Sequence, residues 1–142
     1  MQGPPLNTFT VMQVVAVAVL LWIVFSHPGP WDARRAIGTA LLVTGIAGIA
    51  VARYQLGKSF SVTAQARHLI THGIYSKIRN PIYVFGSVLI AGMILALHAR
   101  PLWWLALGVM GVVQALRARR EAQVLEAAFG DAYRQYRRKT WF

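Results

Sequence analysis

Cysteine is absent from the sequence, and acidic residues are scarce. The 142 residues include four aspartates and glutamates against fifteen lysines and arginines, and only 13% of all residues are charged. Without cysteine, the chain has no disulfide, no thiolate metal ligand and no cysteine nucleophile. A soluble domain is usually about 25% charged, so the low charge content needs a physical explanation.

Four uncharged, apolar runs explain the missing charge: residues 9–25, 36–52, 82–97 and 102–116. A bilayer core roughly 30 Å thick needs about 20 apolar helical residues, and the first run reaches this length with its polar flanks. A single short run is also typical of a buried helix in a soluble protein, but four leave too little polar sequence to cover them. We therefore predict an all-α, polytopic membrane bundle of four or five transmembrane helices. Only residues 98–101 separate the last two runs, which predicts a tight helical hairpin.

The net charge of +11 is concentrated in two segments on either side of this hairpin. Residues 53–79 carry five basic side chains and no acid, and residues 117–142 carry seven basic side chains and three acids. The positive-inside rule places both segments in the cytoplasm. Because an even number of spans returns the chain to the same side, four spans place both termini there as well. Arg34 and Arg35 would then face outward. Basic residues beside spans attract anionic lipid headgroups, whereas no recognition helix or RNA-binding motif indicates a nucleic-acid partner.

The chain is predicted to be a single membrane domain, residues 1–142, built from two parts. Residues 1–52 form two spans in which Gly38, Gly45 and Gly48 provide small faces for close helix packing. Residues 53–142 carry the polar and charged groups, and we expect their last part to form a cytosolic helical cap.

Arg79, Asn80 and Pro81 mark the start of the third apolar helix. Asparagine is a favoured N-cap and proline a favoured first helical residue. A helix start at this depth offers unpaired backbone N–H groups to an anion, reinforced here by Arg79. The simpler interpretation, which these residues alone favour, is a capped helix with a snorkelling arginine.

The fourth apolar run continues into a charged helix that we expect to end at Gly130. Arg117 and Glu121 are four residues apart and share a helix face close to the membrane. The pair is either functional or an ordinary surface ion pair. His68 and His72 have metal-ligand spacing, but no third ligand is apparent, so we predict no metal site.

Two blocks resemble a known family. The first is HLITHGIYSKIRNPIY, ending at Tyr83, and the second is RARREAQVLEAAFGDAYRQY, beginning at Arg117. Their order, their spacing and the hairpin between them are similar to those of isoprenylcysteine carboxyl methyltransferases and their bacterial relatives, with phospholipid methyltransferases close by. The resemblance covers residues 57–142. Asn80 replaces the usual histidine of the first block, and Ala122 replaces the second glutamate of a pair in the second block.

The resemblance implies an S-adenosylmethionine-dependent methyltransferase with its active site on the cytoplasmic face. It assigns catalytic roles to Arg117 and Glu121, and it makes residues 53–142 a methyltransferase-like core. The implied cofactor-binding residues are Leu69, Ile70, His72, Gly73, Tyr75, Arg79, Asn80, Pro81, Tyr83, Glu121 and Leu125.

The acceptor is left open by the resemblance. It implies a membrane lipid or an isoprenoid-type molecule, methylated either on a carboxylate or on a phospholipid amine. An amine must first lose a proton, for which His72 or Glu121 is a candidate base. The expected location is a bacterial inner membrane. The competing hypothesis is a non-catalytic small membrane protein that serves in transport or assembly and has no cofactor affinity.

Overall fold

Five α-helices make up most of the protein. The computed structural model describes residues 8–56 and 69–142, and within these ranges it contains no strand apart from an isolated bridge between Ile78 and Trp141. The prediction of an all-α fold is confirmed. The helices are α1 Thr8–Ser26, α2 Ala33–Leu56, α3 Pro81–Ala96, α4 Leu102–Phe129 and α5 Asp131–Lys139, with a 3-10 turn at Gly73–Ser76 between α2 and α3.

Helix α2, with 24 residues, is the one helix of the described chain that is long and apolar enough to cross a membrane. The apolar helix Val11–Ser26 and helix α3 are shorter. At 1.5 Å per residue, the 16 residues of α3 extend about 24 Å, less than a bilayer core of roughly 30 Å. All four apolar runs are therefore helical, but their lengths alone do not establish four or five spans.

Large apolar side chains cover the outer surfaces of α1 and α4. Trp22 on α1 and Leu102 on α4 are each 70% exposed, and Trp103 is 59% exposed. Exposed apolar surfaces of this extent mark contact with a membrane or another protein rather than with water. The outer faces of these two helices are therefore suited to lipid.

Helices α2 and α3 pack closely because glycines line the contact between them. Gly38, Gly45 and Gly48 on α2 are all buried. A Cβ added at Gly45 would lie 2.7 Å from the backbone of Leu89, and one added at Gly92 on α3 would meet the backbone of Leu42. The predicted small faces are thus confirmed as the place where the two backbones approach.

Arg35 organises the connection between α1 and α2. Its side chain is 1% exposed and donates hydrogen bonds to the carbonyl oxygens of Val24 (2.6 Å), His27 (2.9 Å) and Gly29 (3.0 Å). The guanidinium also lies 4.3 Å from the ring centre of Trp31. The last carbonyls of a helix have no partner within it, and Arg35 supplies one. Arg35 is thus a buried residue in the first turn of α2 and does not lie in the loop between the first two apolar runs.

Asp32 ties the α1–α2 connection to the α3–α4 turn. One carboxylate oxygen accepts a hydrogen bond from the Arg35 backbone N–H at 2.8 Å, and the other lies 2.8 Å from Nε2 of His98. His98 is part of the five-residue turn between α3 and α4, so the predicted tight hairpin is confirmed. The two connections therefore lie at the same end of the bundle.

The opposite end gathers the C-terminus of α2, the 3-10 turn, the start of α3 and the charged half of α4. The Gln55 side chain at the end of α2 accepts a hydrogen bond from the backbone N–H of Ile74 in the 3-10 turn, at 2.8 Å. Helix α4 ends at Phe129, followed by Gly130 with a φ of 52°, which confirms the predicted stop. The described parts of the two basic segments lie together at this end.

A methyl group at Gly45 should separate α2 from α3. We expect Gly45→Ala to lower the free energy of unfolding by about 1–3 kcal/mol, because overpacking a tight contact forces the backbones apart. Thermal unfolding in detergent measures the effect. Gly111→Ala is the matched control, since a Cβ there meets no atom within 4 Å. Equal unfolding temperatures for the two variants would contradict this packing.

Candidate functional site

The interfacial segment, residues 69–83, meets the charged half of α4 through a hydrogen bond between side chains. The hydroxyl of Tyr83, in the first turn of α3, donates to Oε1 of Glu121 on α4. Both residues are half-buried. Residues 38 positions apart, one from each of the two blocks noted in the sequence, therefore meet at one point.

Glu121 does not pair with Arg117 as their spacing suggested. In the described part of the chain, the ion pairs within 4.0 Å are His98–Asp32, Arg134–Glu126, Arg134–Asp131 and Arg137–Glu126. Of the two interpretations left open for Arg117 and Glu121, the ordinary ion pair is therefore not found, and Glu121 instead accepts a hydrogen bond from the Tyr83 hydroxyl. Glu121 is thus a half-buried carboxylate with a neutral partner.

Helix α5 folds back onto the interfacial segment through two buried tyrosines. The hydroxyl of Tyr136 donates to the backbone carbonyl of Tyr75 at 2.7 Å, and Tyr75 is only 6% exposed. Tyr133, one turn earlier on α5, is 2% exposed, and its ring centre lies 6.2 Å from that of Tyr136. The predicted helical cap is therefore in contact with the segment expected to bind the cofactor.

The start of α3 differs from the predicted anion site. Pro81 is the first helical residue as expected, but Asn80 makes no side-chain capping bond, so that part of the prediction was wrong. The backbone N–H of Arg79 donates to the Trp141 carbonyl at 3.1 Å, and that of Asn80 donates to the Phe142 carbonyl at 2.9 Å. The chain's own carbonyls therefore satisfy these two N–H groups, which precede the first helical residue.

A parallel backbone pairing holds this arrangement together. The backbone N–H of Trp141 donates to the carbonyl of Lys77 at 3.0 Å, which completes the bridge between Ile78 and Trp141. The guanidinium of Arg79 donates to the Arg137 carbonyl at 3.3 Å. Sequence reasoning missed Trp141 and Phe142, since nothing in a Thr-Trp-Phe sequence indicates which backbone it will pair with.

Gly73 is required by its backbone conformation and by its neighbour. Its φ is +59°, a region that side chains disfavour, and an added Cβ would collide with the side chain of Gln55. Sequence reasoning also missed Gln55. The available signal was a polar residue at the end of an apolar helix, which does not reveal its partner.

The remaining site residues predicted from the sequence lie near this end of the bundle, with no side-chain hydrogen bond between any two of those in the described chain. Leu69 and Ile70 are half-buried, and His72 is exposed. Leu125 is half-buried one helical turn after Glu121, and Arg117 is exposed one turn before it. His68 lies outside the described residues. The described chain contains no group of three side chains suited to a metal.

An open groove lies between the interfacial segment and α5. Its volume is about 320 Å³, close to the lower limit for small-molecule sites of roughly 300 Å³. The groove adjoins the Tyr136–Tyr75 contact, but none of the predicted site residues lines it. The lining residues are Thr71, Ser76, Ala132, Gln135, Tyr136 and Lys139.

Proline at position 141 should release the start of α3. Trp141→Pro removes the N–H that donates to the Lys77 carbonyl, so we expect faster amide hydrogen exchange at Arg79 and Asn80. Trp141→Ala keeps this N–H and is the control for loss of the side chain. Equal exchange rates in the two variants would show that the backbone pairing does not protect these amides.

The protein should lose stability at alkaline pH through its buried tyrosines. Burial, with a smaller contribution from Tyr133, raises the pKa of Tyr136 to about 12, compared with about 10 in an unfolded chain. The unfolded state therefore loses this proton first, so the contribution of Tyr136 is complete below about pH 10 and is lost as the pH rises to about 12. We expect Tyr136→Phe to flatten the fall in unfolding free energy over this interval. An unchanged slope in denaturant titrations would contradict this assignment.

Comparisons with known proteins bear on the family of this chain. A search of curated proteins found no match. A model of the phospholipid methyltransferase family matches residues 33–132, which extend from the start of α2 into α5 and include both Tyr83 and Glu121. This match covers more than half of the chain, and it confirms the family neighbourhood that the two sequence blocks suggested. The chain belongs to the phospholipid methyltransferase family.

Proposed function

We propose that the protein is an integral membrane, S-adenosylmethionine-dependent methyltransferase whose acceptor is lipid-borne or a small hydrophobic molecule. The observation that carries the proposal is the hydrogen bond from Tyr83 to Glu121. It joins the interfacial segment to the charged helix at one end of the bundle, beside apolar outer surfaces. A site built there can receive a water-soluble cofactor from one side and a lipid from the other.

The charges at this site fit the methionine part of S-adenosylmethionine, which carries an ammonium, a carboxylate and a sulfonium. Glu121 is half-buried without a cationic partner within 4.0 Å in the described chain, so it suits a cation. Arg117, one turn away and likewise without a carboxylate partner, suits a carboxylate or a phosphate. Arg79 provides a second guanidinium, and the buried Tyr75 lies at the same end.

When bound, S-adenosylmethionine supplies the electrophilic methyl group. The protein's contribution is to align the acceptor and exclude water, and positioning can lower a barrier by up to about 7–11 kcal/mol in ideal cases. For a carboxylate acceptor, Arg117 would orient the two oxygens. For an amine acceptor, Glu121 would accept the ammonium proton before transfer, with the Tyr83 hydroxyl holding the carboxylate in place.

The membrane arrangement that suits this function has four spans, formed by α1, α2, α3 and the apolar half of α4. The ends of the short helix α3 would lie near the edges of the bilayer core, which puts Tyr83 at the headgroup boundary. The basic residues around the site favour its placement on the cytoplasmic side, with both termini there as well. Their charges would also attract anionic lipid headgroups. A bacterial inner membrane is the proposed location.

Loss of the Glu121 charge should weaken cofactor binding. We expect Glu121→Gln to reduce the affinity for S-adenosylmethionine at least tenfold in detergent calorimetry, and Arg79→Ala to reduce it as well. Glu126→Gln is the matched control, because Glu126 lies on the same helix but pairs with Arg134 and Arg137. Unchanged binding in both site variants would count against this site, and no binding by the unmodified protein would favour a transport or assembly role.

Labelling with tritiated methyl donor and total lipid extract distinguishes the acceptor classes. Label that stays in the phospholipid fraction indicates amine methylation. Volatile label released by base indicates a methyl ester on a carboxylate. No transfer from a donor that binds saturably would contradict the proposed acceptor class.

A further inference from the structure

Ser87 and Gln114 form a second polar contact between α3 and α4, deeper in the bundle than Tyr83 and Glu121. The Ser87 hydroxyl lies 3.1 Å from Oε1 of Gln114 and 3.0 Å from the backbone carbonyl of Tyr83. Ser87 is four residues beyond Tyr83, and Gln114 is seven residues before Glu121. At 1.5 Å per residue, the contact is displaced by roughly 6–10 Å along the helices.

The hydrogen bonds of Gln114 are incomplete. No other described residue bonds to its side chain. If Ser87 donates to Gln114, both N–H bonds of the amide lack an acceptor. If the amide is flipped, one N–H donates to the Ser87 hydroxyl, and that hydroxyl donates to the backbone carbonyl of Tyr83. The other N–H is still unpaired. In both arrangements an amide N–H of the half-buried Gln114 has no acceptor among the described residues, so it can donate to a ligand.

Space next to this contact is available for a ligand. A Cβ added at Gly86, adjacent to Ser87, or at Gly111, one turn from Gln114, would meet no atom within 4 Å. Both Ser87 and Gln114 are half-buried rather than enclosed. The unpaired amide is therefore accessible to a molecule that lies against α3 and α4.

We infer that Gln114, positioned by Ser87, is a specificity-determining residue that donates a hydrogen bond to an ester carbonyl of a diacyl lipid acceptor. The inference rests on the proposed function and deepens it. With the reacting headgroup atom at Glu121, the ester carbonyls of a small-headgroup glycerolipid lie at a comparable depth to Gln114. An isoprenoid carboxylate has only hydrocarbon at this depth and would leave the amide unpaired.

The test compares two acceptors that differ only in the carbonyl. These are dioleoyl phosphatidylethanolamine and its dialkyl ether counterpart, each presented in vesicles of otherwise identical composition. We expect the unmodified protein to prefer the ester lipid by roughly fivefold in kcat/KM, mainly through KM, as for one neutral hydrogen bond. Gln114→Leu should abolish this preference by raising KM for the ester lipid, with cofactor affinity unchanged.

Thr44→Val is the matched control, since it also removes a polar group from a helix and Thr44 bonds only to the Ala40 carbonyl of its own helix. It should keep the ester preference. If Gln114 only joins α3 to α4, Gln114→Leu lowers the unfolding temperature and slows both lipids alike, which would overturn the inference. Methylation of neither lipid by a protein that binds S-adenosylmethionine would overturn it too. Absent cofactor binding would instead refute the proposed function.

Discussion

The hydrogen bond between Tyr83 and Glu121 is the constraint on which the architecture of the site depends. It fixes the start of α3 against the charged half of α4, and within the described chain no cation lies within 4.0 Å of the carboxylate. A half-buried carboxylate is tolerated with such a partner because the hydroxyl satisfies one oxygen while the charge is still available. The same contact therefore holds two helices together and prepares the site for a cationic ligand.

Rigid packing elsewhere makes this contact possible. Glycines bring α2 and α3 into close contact, and Gln55 at the end of α2 holds the 3-10 turn next to them. At the far end, the buried side chain of Arg35 and the Asp32–His98 contact fix the helix connections. Helix α4, by contrast, exposes much of its apolar surface. The bundle thus combines a tight pair of helices with a more open side, where a lipid can approach the site.

Local chemistry explains which features could be predicted from the sequence. The apolar runs, the start at Pro81, the turn after α3 and the stop at Gly130 follow from hydrophobicity and from proline and glycine conformations, and all were found. Features that depend on distant partners could not be predicted. Arg35 binds backbone carbonyls, and Trp141 pairs with Lys77, because of chain positions that no local pattern encodes. Arg117 and Glu121 have the spacing of an ion pair, but Glu121 bonds instead to Tyr83, 38 residues earlier in the chain.

The most direct measurement is a double-mutant cycle between Tyr83→Phe and Glu121→Ala, read out as calorimetric affinity for the demethylated product of S-adenosylmethionine. If the two residues act as one unit of the binding site, each single change weakens binding. The loss of binding free energy in the double variant should then be smaller than the sum of the two single losses, by a coupling energy of about 0.5–3 kcal/mol. Additive losses, or affinities that neither change alters, would contradict the account.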